Sequence, residues 1–282
     1  MLLGSHLSIA GGMWRALTKA ARYGFDTVGV FVRNQRQWRA PPLSDEAVER
    51  FRRTRERLGI APVVAHGSYL VNLAGRPEVR EKSIAAAAEE LDRCGRLGIE
   101  YLVIHPGSSR DTEAGIDRIA EALNRIMGAC RHPGPGILLE TTAGQGGSIG
   151  SSFDELAEIL GQLGSPERFG VCLDTCHVFA AGHDLRTRDA YAATMNQFDR
   201  VIGLGRLLAV HVNDSQRELG SRVDRHAHIG RGKIGRRGFA NLLNDPRLAA
   251  VPMILETPKE KTPDGRDWDL INAETLRSLV RQ

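Results

Sequence analysis

The chain has 282 residues, 41% hydrophobic and 26% charged, which excludes a disordered or collagen-like polymer and fits one large globular domain. No run approaches the roughly 20 apolar residues of a membrane span. The opening MLLGSHLSIAGG has no basic leader before a long apolar stretch, so the expectation is a cytoplasmic protein with no membrane partner.

The first apolar run, LLGSHLS at 2–8, reads as a strand, and DTVGVFV at 26–32 is the second. A polar stretch, RNQRQWRAPPL at 33–43, leads to a helix over EAVERFRRTRERLG, with Ser44 or Asp45 as N-cap and Gly59 as its stop. APVVAHG at 61–67 is the third strand. The helix after it has the clearest pattern, because Ile84, Ala87, Leu91, Cys94 and Leu97 recur at three- and four-residue steps before Gly98. YLVIHPG at 101–107 and GILLETT at 136–142 are the fourth and fifth strands, and Ser152 caps FDELAEILGQLG, a helix expected to stop at Gly164. FGVCLDTC at 169–176, LLAVHVND at 207–214 and VPMILETP at 251–258 bring the strands to eight. Alternating strand and helix implies parallel strands with right-handed crossovers. Eight such units favour an α/β fold, a (β/α)₈ TIM barrel, as a single domain over 1–282. The longest irregular stretches, 33–43, 214–234 and 257–271, each follow a strand directly, which puts them on the catalytic face of such a barrel.

The formal net charge of +4 is modest, and lysine occurs only at 19, 82, 233, 259 and 261, the other basic residues being arginine. Arginine grips phosphate bidentately, although a GC-rich genome gives the same bias. Four cysteines, Cys94, Cys130, Cys172 and Cys176, do not make a disulfide framework in a chain this long. Cys172 and Cys176 flank Asp174 and read as small buried residues on a strand.

Metal-capable side chains fall at the carboxyl ends of consecutive strands. They are His66 on the third, His105 on the fourth, Glu140 on the fifth, and Asp174 on the sixth with His177 one turn on. His211 ends the seventh, with Asp224 and His226 in its loop, and Glu256 ends the eighth. One such residue at a strand end is ordinarily a satisfied surface or core group; six strands in a row are hard to attribute to chance. Imidazole and carboxylate suit zinc or a similar divalent ion, and nine candidates exceed what one four-coordinate ion needs, so two or three ions sharing a carboxylate are expected. A structural zinc cluster would be a closed four-ligand set richer in cysteine.

At these residues the sequence resembles the endonuclease IV family of apurinic/apyrimidinic endonucleases. The stretches that carry it are FVRNQRQWRAPPL, AHGSYLVNLA, HPGS, LETTAGQG, GVCLDTCHVFAAGHDLRT, HVNDS, GSRVDRHAHIGRGKIG and LETP, in order over essentially the whole chain. The resemblance implies a zinc-dependent DNA-repair enzyme acting on duplex DNA containing abasic sites, and with no heptads in the sequence a monomer is expected. Its expected reaction is hydrolysis of the phosphodiester 5′ to the lesion, leaving a 3′-hydroxyl and a 5′-deoxyribose phosphate. It implies three zinc ions: His66, His105 and Glu140 on the first, Glu140 bridging to a second with Asp174, His211 and Glu256, and His177, Asp224 and His226 on the third. Glu140 would be the catalytic residue that orients the nucleophile. Gln35, Arg36, Gln37 and Tyr69 would bind DNA, since an abasic nucleotide has no stacking partner and is cheap to flip. Trp38 reads as packing its own loop, and for Tyr69 that role stands level with reading DNA.

The chain departs from the family at Gly67 where Asp is common, at Thr141 where Asn is common, and at Arg231 where Glu is usual. The last puts in doubt how the loop of the third ion is supported. His183 and His228 read as surface imidazoles, His6 as a group behind a ligand, and His132 as incidental. Two other readings compete. A metal-dependent sugar isomerase or epimerase on the same barrel would need fewer ligands and no basic, wedge-bearing loops. A non-catalytic DNA-binding barrel would not need ligands on six strands.

Overall fold

A computed structural model describes residues 1–281. Eight strands alternate with helices: β1 (Leu2–Ser5), β2 (Val28–Phe31), β3 (Val63–His66), β4 (Tyr101–Ile104), β5 (Gly136–Glu140), β6 (Phe169–Asp174), β7 (Leu207–His211) and β8 (Pro252–Leu255). The helices are α1 (Trp14–Arg22), α2 (Asp45–Leu58), α3 (Pro77–Leu97), α4 (Thr112–Ala129), α5 (Phe153–Gly161), α6 (Thr175–Ala181), α7 (Arg188–Val201), α8 (Gly235–Leu243) and α9 (Trp268–Arg277). The strands are parallel and pair in sequence order from β2 to β8, and β8 pairs with β1. The ring closes where His6, just past β1, bridges Gly29 of β2 and Leu7 N donates to Gly29 O at 2.8 Å. The fold is the TIM barrel expected from the alternation of elements.

Two apolar layers hold it. The larger fills the space between strands and helices, with Phe51, Leu91, Phe153 and Phe198 fully buried. The smaller is the barrel interior: Val64, Val103, Leu138, Cys172, Ala209 and Ile254, one from each of β3 to β8. Gly29 leaves room on β2 for this layer, because a Cβ there would lie 2.9 Å from Ile254 Cγ2.

Local signals read correctly at most helix ends. Ser44 accepts from Ala47 N, Ser152 forms a capping box with Glu155, and Gly59 and Gly98 close α2 and α3 in the left-handed region. Several element ends shift, three of them with a clear local cause. The sixth strand ends at Asp174 rather than Cys176, because the Asp174 side chain accepts from His177 N and starts α6, which puts Cys176 on a helix. The seventh strand ends at His211, since Asn213 N turns to Thr175 Oγ1 at 2.8 Å. Helix α5 ends at Gly161, with Gln162 as its cap and Gly164 N bound to Asn124 Oδ1.

Candidate metal centre

Side chains alternate along a strand, so the residue two past each interior apolar group points into the barrel one layer higher. Val64 is followed by His66, Val103 by His105, Leu138 by Glu140, Cys172 by Asp174, Ala209 by His211 and Ile254 by Glu256. The apolar layer is therefore the floor, and six candidate ligands form a ring on it at the carboxyl ends of the strands. His177 comes from α6 one turn beyond Asp174, and Asp224 and His226 come from the loop after β7. All nine gather at this one mouth.

Glu140 is the centre. Its side chain is fully buried, with His66 Nε2 at 3.0 Å, His105 Nε2 at 2.9 Å, His211 Nδ1 at 2.7 Å and His177 Nδ1 at 3.6 Å. His211 Nδ1 also lies 3.2 Å from Glu256 Oε2. On the far side His177 Nε2 is 3.2 Å from Asp224 Oδ2, and His226 Nε2 is 3.3 Å from Asp224 Oδ1 and 3.6 Å from Asp174 Oδ2. By proximity His66 gathers with Glu140, His211 and Glu256, His105 with Glu140 and His177, and Asp174 with His177 and His226. Cys176 gathers with Asp224 and His226, so Glu140, His177 and His226 are each shared between two sets.

These residues fit divalent cations, and the reason lies in the ring nitrogens. His66 Nδ1 is committed to Gly67 O at 2.8 Å, His177 Nδ1 to Thr141 O at 2.8 Å, and His226 Nδ1 to Glu256 O at 3.2 Å. A carbonyl only accepts, so each Nδ1 carries the proton and each neutral ring turns an Nε2 lone pair toward a carboxylate. Lone pair against lone pair is repulsive unless a proton or a cation lies between. Backbone carbonyls behind imidazoles are also how ligating histidines are commonly oriented. His226 Nε2 is buried with no hydrogen-bond partner although it faces two carboxylates. Protonation is one resolution: burial opposes charge on His177, yet Asp174, Asp224 and Glu140 push it up to about 10. Burial likewise works against ionised Glu140, but His211 and His105 hold it well below the usual carboxylate range. A divalent ion is the other resolution, and it offsets the four carboxylates together.

The ring is braced by polar groups that sequence reasoning left unassigned. Asn213 donates to Asp174 Oδ2 at 2.6 Å and accepts from Glu256 N at 2.9 Å, joining β6 to β8. The available signal was a buried amide two residues past a strand-end ligand. Thr141 accepts from Asp174 N at 2.9 Å while its carbonyl orients His177, so the family's Asn is replaced by a residue with a role. Asp214 accepts from the backbone N–H groups of Gly230, Gly232 and Ile234 at 2.9–3.0 Å and so organises the loop that carries Arg231. Arg231 itself lies outside, stacked 4.6 Å over Trp268. His6 Nδ1 stands 3.3 Å behind Glu256. His228 is not a surface residue: its ring is mostly buried, stacked 3.9 Å from Trp268. His183 is half-buried against Phe153.

Beside the ring a cavity of about 790 Å³ is lined by His6, Phe31, Gln35, Arg36, Tyr69 and Glu256, among others. Tyr69 is 60% exposed and stands edge-on to Phe31 at 5.5 Å, with His66 at 5.6 Å. Arg36 and Gln37 are exposed and Gln35 half-buried. Trp38 packs against the core.

Residues 17–280 match the family described as xylose isomerase-like TIM barrel. The chain is 49% identical to a probable endonuclease 4 of Chloroflexus aurantiacus, over 99% of this chain and 98% of that one, and 48% identical to one of Geobacter sulfurreducens, over 99% and 95%. Among solved structures, endonuclease IV from Thermus thermophilus superposes with a TM-score of 0.88 at 40% identity, covering 99% of this chain and 98% of that one. A D-psicose 3-epimerase from Clostridium cellulolyticum has a TM-score of 0.71 at 15% identity, covering 99% and 97%, a likeness of fold alone.

Proposed function

The chain belongs to the endonuclease IV family, and from that premise we propose that it is a zinc-dependent DNA-repair endonuclease. It hydrolyses the phosphodiester 5′ to abasic sites in duplex DNA and leaves a 3′-hydroxyl and a 5′-deoxyribose phosphate. The observation that carries this reading is the shared carboxylate: one buried Glu140 in contact with imidazoles from β3, β7 and α6 and from just past β4. Three zinc ions are proposed. His66, His105 and Glu140 would hold the first, Glu140, Asp174, His211 and Glu256 the second, and His177, Asp224 and His226 the third. When bound, such ions supply the Lewis acidity that offsets phosphoryl charge and lower the pKa of water toward ~7.

The chain's own residues do the rest. Glu140, excluded from bulk solvent by its ring of imidazoles, orients the attacking water toward phosphorus. Gln35, Arg36 and Gln37 enter the duplex from the loop after β2, and Tyr69 fills the stack beside the lesion. The cavity lined by Gln35, Arg36 and Tyr69 accommodates the extruded sugar, which without a base pays little unstacking energy. The whole chain acts as one barrel domain, monomeric and cytoplasmic; among the described residues no helix is long and apolar enough to cross a membrane.

Incubating the protein with a duplex containing one tetrahydrofuran abasic analogue, with and without chelator, tests the reading. Chelator-sensitive incision on the 5′ side is the expected result. Ketose epimerisation without strand cutting would select the isomerase reading, and chelator-insensitive binding without cutting would select a DNA-binding barrel.

A further inference from the structure

Behind His66, Glu90 of α3 is a fully buried carboxylate that the proposed reaction does not use. Its two oxygens accept from Ser68 N at 3.2 and 3.3 Å. That N–H belongs to the same peptide unit as the Gly67 carbonyl, and the Gly67 carbonyl is what holds His66 Nδ1 at 2.8 Å. One peptide is thus gripped at both ends, a carboxylate on its N–H and an imidazole N–H on its oxygen. Arg33, equally buried, completes the surroundings of the carboxylate with Nε 3.7 Å from Glu90 Oε1.

We infer that Glu90 is a positioning residue that sets the tautomer and the donor strength of His66 through the Gly67–Ser68 peptide. Burial pushes the Glu90 carboxyl up to about 7 against the opposing pull of Ser68 N–H and Arg33; above that pH its negative charge on the N–H end polarises the amide and makes its carbonyl a better acceptor. A better acceptor fixes the proton on Nδ1 and leaves Nε2 as the donor facing Glu140, which is the form a cation takes. Gly67 suits this arrangement. A Cβ there would lie 2.9 Å from Ile104 Cγ2 and 3.3 Å from Val103 O, so a larger side chain would press on β4 beside the gripped peptide. The other candidate ligands differ: His177 and His226 lean on carbonyls with no such carboxylate behind them in the hydrogen-bond network.

The inference rests on the metal-centre reading, and its test uses no DNA. Zinc affinity is measured well above pH 7, where Glu90 is ionised, by competition with a chromogenic chelator for wild type and Glu90→Gln, which keeps shape and removes charge. Histidine ring nitrogens are followed by nitrogen-15 NMR in the zinc-loaded proteins. Affinity of the tightest sites should fall about 10-fold or more in the variant. The His66 Nδ1 proton should shift upfield while the ring signals of His105 stay in place, a selectivity that general loosening would not give. Unchanged affinity with an unchanged His66 signal overturns the inference. If the variant does not fold, wild type still decides, because a His66 proton found on Nε2 overturns it equally. A wild type that binds zinc but leaves abasic duplex intact overturns the nuclease proposal and leaves this one standing.

Discussion

The candidate ligands come from strand ends, from helix α6 (His177) and from a loop, and the contrast between strand ends and loop shows how a barrel divides rigidity from access. Glu140 and His211 are 0% and 2% exposed, and each sits on a ladder that cannot shift without breaking parallel pairings on both sides. The Asp224 side chain is 42% exposed and hangs on a segment pinned by Gln145 Oε1 at Asp224 N, 2.9 Å, and by Gln216 N to Arg225 O, 2.9 Å. Arg222 in the same segment has φ of +54°, a left-handed conformation that a non-glycine residue rarely adopts. Strand ends supply a fixed platform; the loop presents Asp224 to solvent.

The largest effect should come from the centre of the platform. Glu140→Gln should lower incision of an abasic duplex by on the order of 10³-fold while binding of the same duplex persists. Turnover near wild type would show that the platform does not turn on this carboxylate. Stripping the metal tests the division as a whole. Buried carboxylates left without cations destabilise the fold, so exhaustive chelation should lower the melting midpoint by roughly 10 °C. An unchanged midpoint would mean that the ring does not depend on cations for stability.

Asp224→Asn sharpens the contrast between the two kinds of ligand. It should weaken one equivalent of zinc by about 10-fold or more and leave the others at wild-type affinity. Equal loss of all equivalents would erase the distinction between platform and loop. Tyr69→Ala should reduce incision about tenfold, within the ~1–3 kcal/mol range of a stacking contact, with metal content unchanged. A drop in bound metal would make Tyr69 a support of His66 instead. The smallest effect is expected at Arg231→Glu, within about 0.5 kcal/mol of wild-type stability, because Asp214 and not residue 231 organises that loop.

The barrel was legible because the strands announce themselves as short apolar runs and the helices by their periodicity and caps. The candidate ring was legible because ligand-type residues recur at strand ends, and the floor beneath it could have been read from the apolar residue two positions earlier in each strand. What stayed hidden was every brace that spans elements. Asn213 joining β6 to β8, Asp214 under the glycine loop and Glu90 behind His66 depend on neighbours 16 to 43 residues away. A side chain's partner across such a distance leaves no trace in local spacing.

Composition and order of residues alone determined an alternating chain, its parallel sheet, and the kind of donor at each strand end, because these follow from periodicity and from chemistry carried on single residues. Only the tertiary structure decided which nitrogen of each imidazole faces the ring. It also decided that Glu140 is the shared centre and that His228 is buried and Arg231 turned outward. Those outcomes depend on which backbone carbonyls and carboxylates the closed barrel brings within about 3 Å, a hydrogen-bond distance.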